Sequence, residues 1–117
     1  MGDRAMCEIR TKEGSLIIYT RWGGHALPET ARKAIIAAKG RWSDTPYAMR
    51  ILVDQITKEG RDELTGFGLM LEPNAEDEHN NGKPSVIINL EELTLKVIHN
   101  RKEKVFTFKE IYDAVSV

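Results

Sequence analysis

The sequence predicts an α+β fold: an antiparallel β-sheet of five or six strands, two central helices and a short C-terminal helix. Three observations predict it. Residues 7–11 alternate in polarity and residues 15–22 form a second, more apolar strand run across one glycine turn, as in a hairpin. Two stretches with helical spacing, each opened by a proline, follow between 28 and 57. Runs rich in β-branched residues and separated by turn residues then return, before a last short capped segment.

The first strand is expected over 7–11, where Cys7, Ile9 and Thr11 alternate with Glu8 and Arg10. Lys12-Glu13-Gly14 reads as a tight turn in which Gly14 supplies positive φ. In the second strand, over 15–22, Leu16, Ile18, Thr20 and Trp22 share one face, and Gly23-Gly24 ends it. Pro28 suits a first helical position, where its missing N–H costs nothing, and Glu29 complements the helix dipole. Ala31, Ala34, Ile35 and Ala38 make that helix's inner face, with Gly40 as the expected stop. In the second helix Thr45 is the expected N-cap and Pro46 the first residue, with Ala48, Ile51, Leu52 and Ile56 inward. Met49 and Val53 widen its apolar stripe beyond what one core contact needs, which suggests helix–helix contact between subunits. A wrap of this helix by the loop at 73–83 is the competing explanation.

Strands are expected over 66–71, 85–90, 94–99 and 104–107, with a polar, mobile loop at 73–83 and a turn at Asn100-Arg101-Lys102. Thr107 and Glu110 have capping-box spacing, and Ile111 and Ala114 give the last helix an inner side. A single domain over 1–117 is expected, with 1–5 as a possible extension.

The totals narrow the function classes. Seventeen basic residues against eighteen acidic ones leave a net charge of -1, so no global field draws the chain to a nucleic-acid polymer or an anionic membrane. No apolar run approaches the ~20 residues of a membrane span, and no signal-peptide core opens the chain, so a cytoplasmic location is expected. Cys7 is the only cysteine, which excludes an internal disulfide and a cysteine zinc site. A buried strand position is expected for it. Walker, dinucleotide-fold, zincin and nucleophile-elbow patterns are missing, so no enzyme activity and no cofactor are expected. Glu76-Asp77-Glu78-His79 lacks EF-hand spacing and reads as a solvated loop. His25, His79 and His99 lie on separate elements, and no metal is expected.

Aromatic and basic residues gather around bare backbone in three places. Tyr19, Arg21, Trp22 and His25 crowd Gly23-Gly24; Trp42, Tyr47 and Arg50 flank the second helix start; Phe67 stands between Gly66 and Gly68. Flat rings stack bases, guanidinium groups fork onto phosphates, and helix N-termini attract anions, so these are the ingredients of a small nucleotide pocket. The competing reading of Trp22, Trp42, Tyr47 and Phe67 is core packing.

Trp22-Gly23-Gly24-His25, the run from Trp42 to Tyr47 followed by Arg50, Thr65-Gly66-Phe67-Gly68 and the strand pair over 86–97 resemble small phage and prophage proteins. In function the pattern resembles the anti-Thoeris anti-defence "sponge" proteins. Those are oligomers that bind cyclic ADP-ribose isomers, and in some cases cyclic oligonucleotides, without cleaving them. The resemblance implies a homo-oligomer, a cyclic nucleotide as partner, Trp22 and Phe67 as stacking residues and Arg50 on phosphate. Arg21 and Arg101 are further guanidinium candidates, and His25 and Tyr47 complete the expected ligand-binding set. Two other functions compete: a phage accessory or inhibitor protein acting by protein–protein contact, and a small nucleotide hydrolase using Glu or His as general base.

Overall fold

The computed structural model describes residues 4–21, 24–71 and 85–116. In chain order the elements are β1 (Ala5–Thr11), β2 (Gly14–Thr20), α1 (Leu27–Ala37), α2 (Thr45–Thr57), β3 (Phe67–Leu71), β4 (Val86–Asn89), β5 (Thr94–His99), β6 (Lys102–Thr107) and α3 (Phe108–Ser116). Single 3₁₀ turns, Gly24–Ala26, Lys39–Arg41 and Lys58–Gly60, lead into α1 or follow α1 and α2. The six strands form one sheet in the order β3-β2-β1-β4-β5-β6. The expected α+β class and its three helices are present. The sheet is mixed, however, because β1 and β4 run parallel while every other pair is antiparallel. Both helices α1 and α2 lie between β1 and β4 in sequence, a crossover long enough to reverse direction and pair a strand in parallel.

The β1–β2 hairpin turns as its sequence requires. Gly14 takes φ +140°. The Thr11 hydroxyl donates to the Gly14 carbonyl at 2.7 Å and accepts from the Glu13 amide at 3.1 Å. β1 begins at Ala5, two residues before the expected start, and Ala5 is buried. The β5–β6 turn is tighter than expected: Asn100 and Arg101 both take positive φ, 50° and 66°. A two-residue loop of that hand matches the twist of the strands, so β6 starts already at Lys102. α1 does not stop on a left-handed Gly40. It ends at Ala37, and the Ala38 amide donates to the carbonyls of Ala34 (3.0 Å) and Ile35 (3.1 Å) as the chain tightens into 3₁₀. The N-cap of α2 is Asp44, one residue before the expected Thr45. The capping box of α3 forms as its spacing predicts: the Glu110 amide donates to Thr107 Oγ1 (3.0 Å) and the Thr107 amide to Glu110 Oε1 (2.8 Å).

One face of the sheet carries the main core. Strand alternation puts Cys7, Ile9, Ile18, Val86, Ile88 and Leu95 on that face, all fully buried. Ala31, Ala34 and Ile35 of α1 and Ala48, Leu52 and Ile56 of α2 pack onto them; the alanines let the helices approach closely. Burial and the neighbouring Glu8 carboxylate push the Cys7 thiol up to about 12. The expectation of a buried strand cysteine holds. No described helix is long and apolar enough to cross a membrane.

The other face buries Met6 and Ile17, and with them Glu8, which sits opposite Ile17 and is 5% exposed. Arg10 grips that carboxylate with two guanidinium nitrogens, Nε at 2.9 Å and Nη2 at 3.2 Å, and the Ser15 hydroxyl donates at 2.6 Å. Burial alone would raise the Glu8 pKa. The bonds from Arg10 and Ser15, and the positive charges of Arg10 and Lys96, outweigh it and hold the group below its ordinary value. A lowered folded pKa means this stabilisation is complete above the unfolded carboxylate's value, about 4.3, and is lost as pH falls through the folded one. Glu8→Gln is therefore expected to cost about 1–3 kcal/mol at pH 7 and to flatten the acid limb of stability. Urea melts of both chains between pH 7 and pH 3 check this; parallel acid limbs would contradict it.

Candidate functional site

A cleft of about 390 Å³ opens where the start of α1, the end of α2 and the start of β3 meet. Its apolar floor is Leu27, Ala34 and Ile56, which also belong to the core, and one wall is Phe67. Thr30 and Lys33 reach it from α1, Gln55 from α2, and Lys58 and Glu59 from the 3₁₀ turn beyond. Helical spacing explains the set: Thr30, Lys33 and Ala34 share the face of α1 that looks toward α2. Among the described residues neither Lys33 nor Lys58 is in an ion pair, whereas Arg32, Arg41 and Arg61 are. The N-cap of α1 is Ala26, which has no side-chain oxygen to offer the first-turn amides, and Ala26 also borders the cleft.

Backbone geometry sets the Phe67 ring. Gly66 takes φ +111°, and the Arg21 amide donates to its carbonyl at 2.9 Å, which fixes the entry to β3. A methyl group on Gly60 would lie 3.0 Å from Phe67 Cε2, so the bare backbone there is what lets the ring fold down beside the turn. The ring is half-buried: one side meets the core and the other the cleft.

The seven residues expected from sequence divide. Phe67 lines the cleft. Arg21 and His25 adjoin it, the first bonded through its amide to Gly66, the second next to Ala26. Trp22 lies outside the described residues, as does the acidic loop. Tyr47, Arg50 and Arg101 do not reach the cleft of their own chain. Tyr47 stands in the first turn of α2, exposed under the Arg41 guanidinium at 5.2 Å. At 1.5 Å per residue it is about 16 Å along the helix from Lys58. Arg50 lies about 140° round the helix from Gln55, in a separate outer groove with Leu16, Met49 and Val53. Arg101 caps the β5–β6 hairpin four strands across the sheet from β3, about 19 Å away. Trp42 proves to be core: its indole N–H donates to the Ile35 carbonyl at 2.8 Å and its ring meets Phe108 at 5.1 Å.

Lys33, Lys58, Thr30 and Gln55 carried no motif in the sequence. Only the packing of α1 against α2 brings them together, and that contact is long-range. The one local hint was Lys58 beside Gly60, at the end of an apolar helix.

Comparison with family models, curated proteins and solved structures finds no match to this chain. The cleft has one flat apolar wall, the Phe67 ring. Its described lining carries two ammonium groups, one carboxylate (Glu59) and no histidine. Among the described residues no group of three or more His, Cys, Asp or Glu could hold a metal ion.

Proposed function

We propose that this chain binds a small anionic nucleotide in the cleft between α1, α2 and β3 and holds it without cutting it. The observation that carries the reading is the meeting of the Phe67 ring with Lys33 and Lys58 in one cleft. Phe67 stacks the base, and the two ammonium groups meet phosphate oxygens. The volume falls within the roughly 300–1,000 Å³ of ordinary ligand sites. In this reading Lys33 and Lys58 hold phosphate oxygens, so neither serves Glu59 as the acid that general acid–base hydrolysis would need. The resemblance noted above extends the reading: the ligand is a cyclic signal nucleotide, a cyclic ADP-ribose isomer or a cyclic oligonucleotide. A phage-type anti-defence protein would sequester it in the host cytoplasm as a homo-oligomer.

Calorimetric titration with cyclic ADP-ribose isomers and cyclic oligonucleotides tests this. One of them is expected to bind, and Phe67→Ala to weaken it by about 1–3 kcal/mol, the worth of one stacked base. That is a loss of roughly fivefold to 150-fold. Absence of heat with every member of the panel at high micromolar protein contradicts the reading.

A second reading, a protein–protein inhibitor, is favoured by one observation. Leu69 and Leu71 are exposed on the edge strand β3, and Leu71 shares a groove with Leu16 and Met49. Capture of one stoichiometric host protein, unaffected by Phe67→Ala, would support it over the first.

A further inference from the structure

We propose that the free edge of β3 is a self-association surface, on which a second copy of this chain adds its own β3 antiparallel and continues the sheet across a two-fold axis at Leu69. This stands whether or not the cleft takes a nucleotide.

Among the described residues β3 is the outermost strand on its side of the sheet. The Arg21 amide bonds to the Gly66 carbonyl, so residue 66 faces β2 through its main chain, and by antiparallel alternation so do 68 and 70. Phe67, Leu69 and Leu71 therefore turn their N–H and C=O groups outward, a ready template for another strand. The two sheet edges differ in how they are guarded. β6, at the far edge, carries Lys102 and Lys104, which discourage pairing. β3 reads Phe-Gly-Leu-Met-Leu, with no charge and no proline.

The occupant that fits is a second copy, because the strand is self-complementary. Phe67, Leu69 and Leu71 oppose Thr20, Ile18 and Leu16, so all three point to the helix-bearing side. Yet Leu69 is 57% and Leu71 67% exposed: α2 of their own chain does not cover them. With the axis at Leu69, the two Leu69 residues face each other and each Phe67 faces a Leu71. An axis perpendicular to the sheet also brings the two α2 helices side by side above these leucines, running antiparallel. Their outer grooves, lined by Leu16, Met49 and Val53, then close on each other. Each rim carries Arg50, Asp54 and Arg61, with Asp54 already bonded to Arg61 of its own chain, so the contact between copies rests on the apolar side chains and the strand pairing rather than on ion pairs.

Sedimentation equilibrium of the full chain, with circular dichroism to confirm folding, tests the surface. The expected result is a dimer that becomes monomeric in Leu69→Lys and is unchanged in Val105→Lys on the far edge. Leu69→Cys gives a register test. Residues on the axis pair about 5.5 Å apart between Cα atoms, within disulfide reach, so mild oxidation is expected to link two chains; the buried Cys7 does not compete. A wild-type chain that stays monomeric at high micromolar concentration overturns the proposal and leaves the edge to a strand of another protein. A dimer that survives Leu69→Lys, with no cross-link through Leu69→Cys, overturns it as well.

Discussion

Phe108→Ala is expected to destabilise the chain by about 3–5 kcal/mol, the range for a fully buried phenylalanine. Phe108 is 1% exposed and is the first residue of α3. Its amide donates to the Leu93 carbonyl at 2.9 Å, which pins the start of the helix to the β4–β5 turn. Its ring meets Trp42 at 5.1 Å, tilted by 58°. Trp42 in turn meets Tyr112 edge-on at 6.2 Å, and the Lys39 ammonium lies 5.2 Å from the Trp42 ring and 5.0 Å from that of Tyr112. Removing the Phe108 ring leaves a cavity and also unseats Trp42, the residue that ties the end of α1 to α3. Urea denaturation should show a lower midpoint with an unchanged slope, and the near-ultraviolet tryptophan signal should weaken. Phe108→Leu keeps most of the volume and should recover more than half of the loss. A cost below about 1 kcal/mol would mean that α3 is not anchored through this ring.

The second large effect concerns the cleft. Lys33→Glu combined with Lys58→Glu is expected to weaken nucleotide binding by roughly 100-fold or more. Each ammonium–phosphate bond is worth about 1.5–3 kcal/mol, and reversal adds repulsion. Both side chains are exposed, so stability should move by no more than about 0.5 kcal/mol. Affinity of the unmodified chain should also fall with salt, since the contacts are partly solvated. Arg101→Glu, at the distant hairpin tip, is the matched control and should change affinity less than twofold, or about 0.4 kcal/mol. Loss of binding on changing Arg101, with none on changing the lysines, would move the site away from the cleft.

Most of the fold was legible because its signals are local. Gly14 in the first turn, Thr107 and Glu110 in the capping box, and the Ala31–Ala34–Ile35 stripe each act within a few residues of themselves, and each appears where its spacing puts it. The parallel β1–β4 pair was not legible. It depends on where a strand returns after two helices, which no local pattern records. Arg101 at φ 66° was missed for another reason: the chain accepts an unfavourable residue there because the twist of β5 and β6 selects the turn.

The candidate site was legible in part. Phe67 stood out through its flanking glycines, and Gly66 and Gly60 are what aim its ring. Arg50 and Tyr47 drew attention by residue type. Helical phase and length carry them away from the cleft, on the outer face and at the far end of α2. Lys33 and Lys58 were invisible because a lysine on an exposed helix position is the commonest of surface features. Only the docking of α1 on α2 gives them a shared cleft.

A nucleotide that the cleft holds without cutting can be recovered from it unaltered. The most direct measurement is to saturate the chain with the cyclic nucleotide that gives heat, remove the excess, denature with heat and identify what is released by mass spectrometry. The expected result is the unaltered nucleotide, in stoichiometric amount from the wild-type chain and lost from the Lys33→Glu, Lys58→Glu chain. Release of cleaved products, or equal retention by both chains, would contradict it.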